Sequence, residues 1–266
     1  MKKITSALWE WNQPQLFSLI IVVLICFILS LTTYILIKKE SKPNKAPHGL
    51  LFVMEGYINY IDANFDENTE GKLPKARFYI FGISTFLFIG LLISMLGLEP
   101  IVTSYSVAFV AAFVTWLGIY ITAFIYQKWR FLKRYMNPIE LIGQYAPLIS
   151  LSFRIFGNVI GGASIIFLVY FIAGLAWSKI LGQDFNTAYF AENPLNQPWP
   201  LFAPIVTPFL HMYFDIFSAY IQTLVFCALT TVYWANEVEI TAYKKKNKEN
   251  SQELNTQKIT LNENVY

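Results

Sequence analysis

Between Glu140 and Lys179 lie 38 residues whose only charged side chain is Arg154, and between Trp199 and Glu237 lie 37 whose only formal charge is Asp215. Wound as continuous helices, these runs would each measure on the order of 55 Å, close to twice the hydrocarbon thickness of a bilayer. No proline follows Pro147 in the first run or Pro208 in the second, so neither has a strong point at which to be cut in two. Either each run is an ordinary span with apolar flanks in the interface, or the two form a long, strongly tilted hairpin leaning on something large. Their length favours the hairpin, inclined well beyond the ~20° average of transmembrane helices.

The rest of the chain agrees with a membrane setting. Of 266 residues, 55% are hydrophobic and only 14% charged, which would leave a soluble domain of this size with far too much apolar surface. Three further apolar spans precede the long pair, at 17–37, about 78–98 and about 105–126. The first follows Lys2 and Lys3, which invites a signal-peptide reading. It is too long for an h-region, lacks a small-residue cleavage pattern and ends in KKESKPNK, so it is read as a retained helix. The expected fold is an all-α integral membrane protein with five membrane-embedded helices. Cys26 and Cys227 both lie in apolar runs and the two histidines are far apart, so neither a disulfide framework nor a metal site is expected. Phosphate-binding glycine loops and nucleophile elbows are absent from the sequence, so no catalytic residue and no cofactor is assigned. The net charge of +3 sums very uneven regions and gives no reason to expect a nucleic-acid partner.

Basic residues set the orientation. Segments 38–77, 127–140 and 236–266 fall on one side and carry seven, four and five Lys plus Arg, against Lys2, Lys3 and Lys179 on the other. The C-terminus is therefore expected in the cytoplasm and the N-terminus outside, in a multi-pass cell-membrane protein. The chain divides into an extracytoplasmic N-terminus 1–16, a first span 17–37, a cytoplasmic segment 38–77, a helical hairpin with its connection 78–135, the long pair 136–235 and a polar tail 236–266. Within the cytoplasmic segment, Glu55, Asn59, Asp62 and Asp66 recur at helical spacing opposite Leu51, Met54, Ile58, Ile61 and Phe65. That predicts an amphipathic surface helix over about 48–66. Its acidic face suits docking on protein at least as well as contact with anionic lipid.

Polar residues in the long spans carry the functional signal. In a helical 140–162, Ser150 and Asn158 lie one turn either side of Arg154, and Glu140, Gln144 and Arg154 share roughly one face. In the last span Thr207, His211, Asp215, Ser218 and Gln222 follow steps of four, four, three and four. Singly, each suits a structural role in bonding back to its own helix or gluing two helices. Five in register form a continuous polar stripe, as a hydrated path requires. Arg154 has two readings: an internal pair with Asp215, or a permanent cation that meets a carboxylate of another subunit. A guanidinium stays charged where a lysine could lose its proton, which suits the second. Gly157 and Gly161, with Gly162 beside them, would let another helix approach closely.

The stretch PLISLSFRIFGN, with Glu140 fourteen positions before its arginine, and the downstream AYIQTLVFCALTTVYWANEVE resemble subunit a of the F-type rotary ATP synthases. NPIELIG, GLEP and the order of segments extend the resemblance over nearly the whole chain, and SYSVAFVAAFVTWLGIY looks closest to the mollicute branch. The resemblance implies a stationary proton-channel subunit with two aqueous half-channels. It implies a c-ring of carboxylate-bearing proteolipids as partner, together with the peripheral-stalk b subunit, the rest of the complex and membrane lipid. Nucleotide chemistry would belong to other subunits. Arg154 matches the arginine that faces the ring. Glu140, Ser150, Asn158 and Gln222 match polar positions of the half-channels or of the arginine's surroundings. Asp215 falls where other members carry Glu or His, and His211 and Ser218 extend its path. Ala163 departs from the pattern, since many members have Glu or His there. A secondary transporter with an Arg154/Asp215 site and a membrane scaffold without transport are the competing classes; the absence of an internal repeat between 17–135 and 141–235 weighs against the transporter.

Overall fold

The computed structural model of the chain describes residues 14–40, 49–128, 138–182 and 203–238. Residues 1–13, parts of the basic segments 38–77 and 127–140, most of the 179–200 loop and the tail from 239 lie outside the described residues. No strand occurs among the described residues, and five helices are long and apolar enough to cross a membrane. The all-α membrane fold expected from the sequence is the one found.

Helix α1 spans Pro14–Glu40, with proline in its first turn, where no N–H is needed, and Lys38 and Lys39 in its last, next to the negative end of the dipole. Helix α2, Leu50–Thr69, is the amphipathic helix, one turn longer at its C-terminal end than the charge pattern marks. It stops where Glu70 turns left-handed (φ 50°) and returns its N–H to the Asp66 carbonyl. Ile61, Phe65 and Thr69 are buried on the stripe expected to be apolar, and Asp62 and Asp66 on the polar side receive Arg77 at 3.5 and 2.8 Å. Tyr57 hydrogen-bonds Ser84 and Thr85, and Tyr60 meets Tyr220 hydroxyl to hydroxyl at 2.7 Å. The helix is therefore docked on its own chain.

Helix α3, Arg77–Leu92, tightens into a 3₁₀ turn, Ile93–Leu96, and stops at Gly97 (φ 75°), a left-handed position that glycine accepts freely. A second 3₁₀ turn, Ile101–Thr103, leads into α4, Tyr105–Gln127. Helix α5, Pro138–Ile180, is a single helix of 43 residues, about 65 Å long. Helix α6 covers Ala203–Val238 and changes winding midway. The two overlong sequence runs are thus two overlong helices, neither cut in two.

One core joins α1, α3, α4, α5 and α6 around Val22, Leu87, Ile101, Ala112, Leu151, Ile155 and Phe226. A second, at the end where α3 begins and α6 finishes, gathers Phe65, Ile80, Ile119 and Trp234. Near it, α4 and α6 are in close contact: a Cβ at Gly118 would lie 2.2 Å from Trp234 Cζ2. The Trp234 indole donates to the Thr115 carbonyl at 3.0 Å, so the ring is held in that place.

Candidate functional site

Helices α5 and α6 run antiparallel, and two contacts fix their register. The Asn158 amide donates to the Ser218 hydroxyl, and one turn further on the Phe214 ring lies against Gly162, where a Cβ would sit 2.9 Å from its Cδ1. Four residues forward along α5 are matched by four back along α6. The same step in the other direction puts Arg154 level with Gln222.

Around that level the two faces of α5 differ. Leu148, Leu151, Ser152 and Ile155 are buried, whereas Phe153, Arg154, Gly157 and Gly161 are exposed. Arg154 has no ion-pair or hydrogen-bond partner among the described residues. Of the three glycines expected at a close helix contact, only Gly162 is packed by the described residues; none of these lies within 4 Å of a Cβ built at Gly157 or Gly161. Gln222 is half-buried, and its Oε1 is buried with no hydrogen-bond partner among the described residues.

The polar stripe of α6 is broken by its winding. Residues Met212–Phe217 form a π-helix, in which the Ser218 N–H reaches back five residues to the Tyr213 carbonyl. Each such turn holds an extra residue, so the helix beyond it is rotated back by about one position. His211 and Asp215 stay together, Nδ1 to Oδ2 at 2.7 Å, and Ala219, not Ser218, follows them along one wall of a cavity. Ser218 is turned to Asn158. Thr207 is buried and donates to the Ala203 carbonyl of its own helix. Sequence spacing at constant α-helical pitch could not show this division, because no residue type marks the π turn.

The cavity measures about 320 Å³ and lies at the Gly97 end of the bundle, with Ser94, Thr103, Asn158, Ala163, His211 and Asp215 in its wall. Ser94 and Thr103 come from the connection between α3 and α4 and carried no signal in the sequence. Polar groups on several walls of a space this size can hold water. Asp215 is seven residues from Gln222, about 10 Å along the helix, and is engaged by His211. The internal Arg154–Asp215 pair, one of two readings open from the sequence, is absent. Glu140 is exposed in the first turn of α5, and Ser150 is half-buried one turn before Arg154.

Comparison with known proteins decides the assignment: the family described as ATP synthase A chain matches residues 16–235. The chain belongs to the ATP synthase A chain family. A relative named ATP synthase subunit a from Mycoplasma pneumoniae is 29% identical over 245 residues, covering 85% of this chain and 80% of the relative. One of the same name from Mycoplasma genitalium is also 29% identical, covering 80% of this chain and 76% of its own length. That of Lysinibacillus sphaericus is 24% identical and covers 86% and 92%. The resemblance to the mollicute branch of the ATP synthase A chain family agrees with the two Mycoplasma relatives. In this member of the family, Ala163 shares its cavity with His211 and Asp215, which are bonded to each other within α6.

Proposed function

We propose that this ATP synthase A chain conducts protons through the membrane sector in two half-channels, and that Arg154 is the fixed cation against which a ring of proteolipid carboxylates turns. One observation carries the reading: the guanidinium stands unpaired among the described residues, on an open face flanked by Gly157 and Gly161, while the nearby carboxylate of Asp215 is already held by His211. An unpaired cation in hydrocarbon costs at least ~2.5–3.5 kcal/mol, so an anion from outside the chain must offset it.

A proton enters the cavity at the Gly97 end, passes the His211–Asp215 pair and neutralises a ring carboxylate, which can then face lipid. Charged, it could not. After rotation, a protonated carboxylate reaches the second path, near Glu140, and releases its proton. The resulting anion is drawn to Arg154. Ser150, Asn158 with Ser218, and Gln222 order the surroundings of the arginine. The positive charge also stops a proton from hopping directly between the two paths, because its repulsion is strong where the dielectric is low. In this reading the pair α5–α6 is steeply tilted along the ring, which lets helices of this length stay within the membrane. The Gly97 end faces outward and the C-terminus the cytoplasm, in the plasma membrane, with the peripheral-stalk b subunit and the remaining complex attached.

Purification from native membrane in mild detergent tests the assignment. A small two-helix proteolipid with an intramembrane carboxylate is expected to accompany the chain, and a cysteine at Gly157 to cross-link to one placed beside that carboxylate. A stable solitary chain that binds a solute would refute it. For the entry path, Asp215→Asn should lower ATP-driven proton pumping in inverted vesicles by about tenfold or more, since a positioned proton-transfer group typically contributes ~10²-fold or more. His211→Gln should lower it less, because the carboxylate remains. Pumping at the native rate in Asp215→Asn would exclude the pair from the path.

A further inference from the structure

Arg154 can act on a moving anion only if α5 holds it at a fixed distance and rotation, yet α5 is weakest just before it. Pro147 has no N–H to return to the Gly143 carbonyl, so the turn two helical turns before the arginine lacks one of its bonds. At this turn α4 takes hold. The Trp116 indole donates to the Gln144 carbonyl at 2.7 Å, and its ring stacks on Tyr145, centroids 5.4 Å apart at 25°. On the other side of Pro147, α4 grips again through Tyr105. Its ring packs on Phe153 and Phe156, one on each side of Arg154 in sequence, with ring centroids 5.5 and 5.3 Å away. Its hydroxyl lies 3.4 Å from Ser152 Oγ, whose own proton goes to the Leu148 carbonyl. The two grips bracket both the proline and the arginine.

We infer that Trp116 and Tyr105 are positioning residues for Arg154: α4 acts as a splint that clamps α5 on either side of the Pro147 turn and so fixes where the guanidinium stands. Trp116 is the stronger element, because its N–H adds a bond from α4 to the Gln144 carbonyl, next to the Gly143 carbonyl that Pro147 leaves without its helical donor, and so ties down the turn that the proline weakens. Neither residue touches the reacting carboxylate. Their effect is on geometry, and a displacement of about 1 Å can reduce a positioned reaction by ~10²-fold.

This inference rests on the proposed role of Arg154, and the experiment separates the two. Complete complexes carrying Trp116→Phe, Tyr105→Phe or Arg154→Ala are compared in sealed inverted vesicles for subunit content, ATP hydrolysis and protons pumped per ATP. Trp116→Phe keeps an aromatic ring and removes the donor; the expected result is normal subunit content with about a two- to tenfold lower pumping ratio, the range a single hydrogen bond supports. Tyr105→Phe should give a smaller fall in the same direction. A native pumping ratio in Trp116→Phe, or a loss confined to subunit content, would overturn the splint. Retained pumping in Arg154→Ala would overturn the role of the arginine itself, whatever the tryptophan variant does.

Discussion

Arg154→Ala is expected to abolish ion-driven ATP synthesis while leaving the complex assembled. The side chain makes no ion pair or hydrogen bond among the described residues and stands on the exposed face of α5, so its removal leaves no cavity and orphans no partner among them. What it removes is the only formal charge between Glu140 and Lys179. In the proposed mechanism, its loss takes away the cation that favours the anionic form of a passing carboxylate and repels a proton moving between the two paths. Synthesis driven by an imposed proton gradient should fall to background, with the subunit present at native levels on immunoblots. Arg154→Lys should recover little, because a lysine in low dielectric can shed its proton and lacks the planar, two-pronged geometry for a carboxylate. Coupled synthesis near the native rate in either variant would remove the arginine from the mechanism.

Gly118→Val is expected to be as damaging for a different reason. Even the first added carbon would lie 2.2 Å from Trp234 Cζ2, and the indole cannot swing aside without losing its bond to the Thr115 carbonyl and its contact with Tyr79 at 5.1 Å. Overpacking of this kind costs about 1–3 kcal/mol or more, a large part of a typical protein's stability. Here it forces apart α4 and the end of α6. The variant should be depleted from the membrane and from the purified complex, as measured by quantitative immunoblotting. Gly118→Ala combined with Trp234→Leu, which makes room for the extra carbon, should restore much of the lost protein. Native levels of Gly118→Val alone would contradict the contact.

These two positions differ in how legible they were. Arg154 was conspicuous because a charge in 38 otherwise uncharged residues has few structural uses. Five spans, the length of the last two and the buried stripe of α2 were likewise readable, since each depends on hydropathy or on 3.6-residue periodicity. Gly118 was not. A glycine in an apolar helix does not reveal which side chain crosses it, and the tryptophan that does is more than a hundred residues away. Trp116 and Tyr105 were visible as aromatics at helical spacing, but the same spacing describes a lipid-facing stripe. The Asn158–Ser218 register and the Ala163–His211–Asp215 cavity depend on which helices meet, information that comes only with tertiary structure.

The π turn at Met212–Phe217 puts the two ends of α6 out of phase while the helix stays continuous. The end before the turn directs an imidazole–carboxylate pair into a space several helices share; the end after it turns Ser218 to Asn158 of α5. A uniform α-helix would tie both aims to a single rotation, so that turning one set into place would turn the other out by the same angle. The surplus residue releases that constraint, and each end of α6 can be aimed separately.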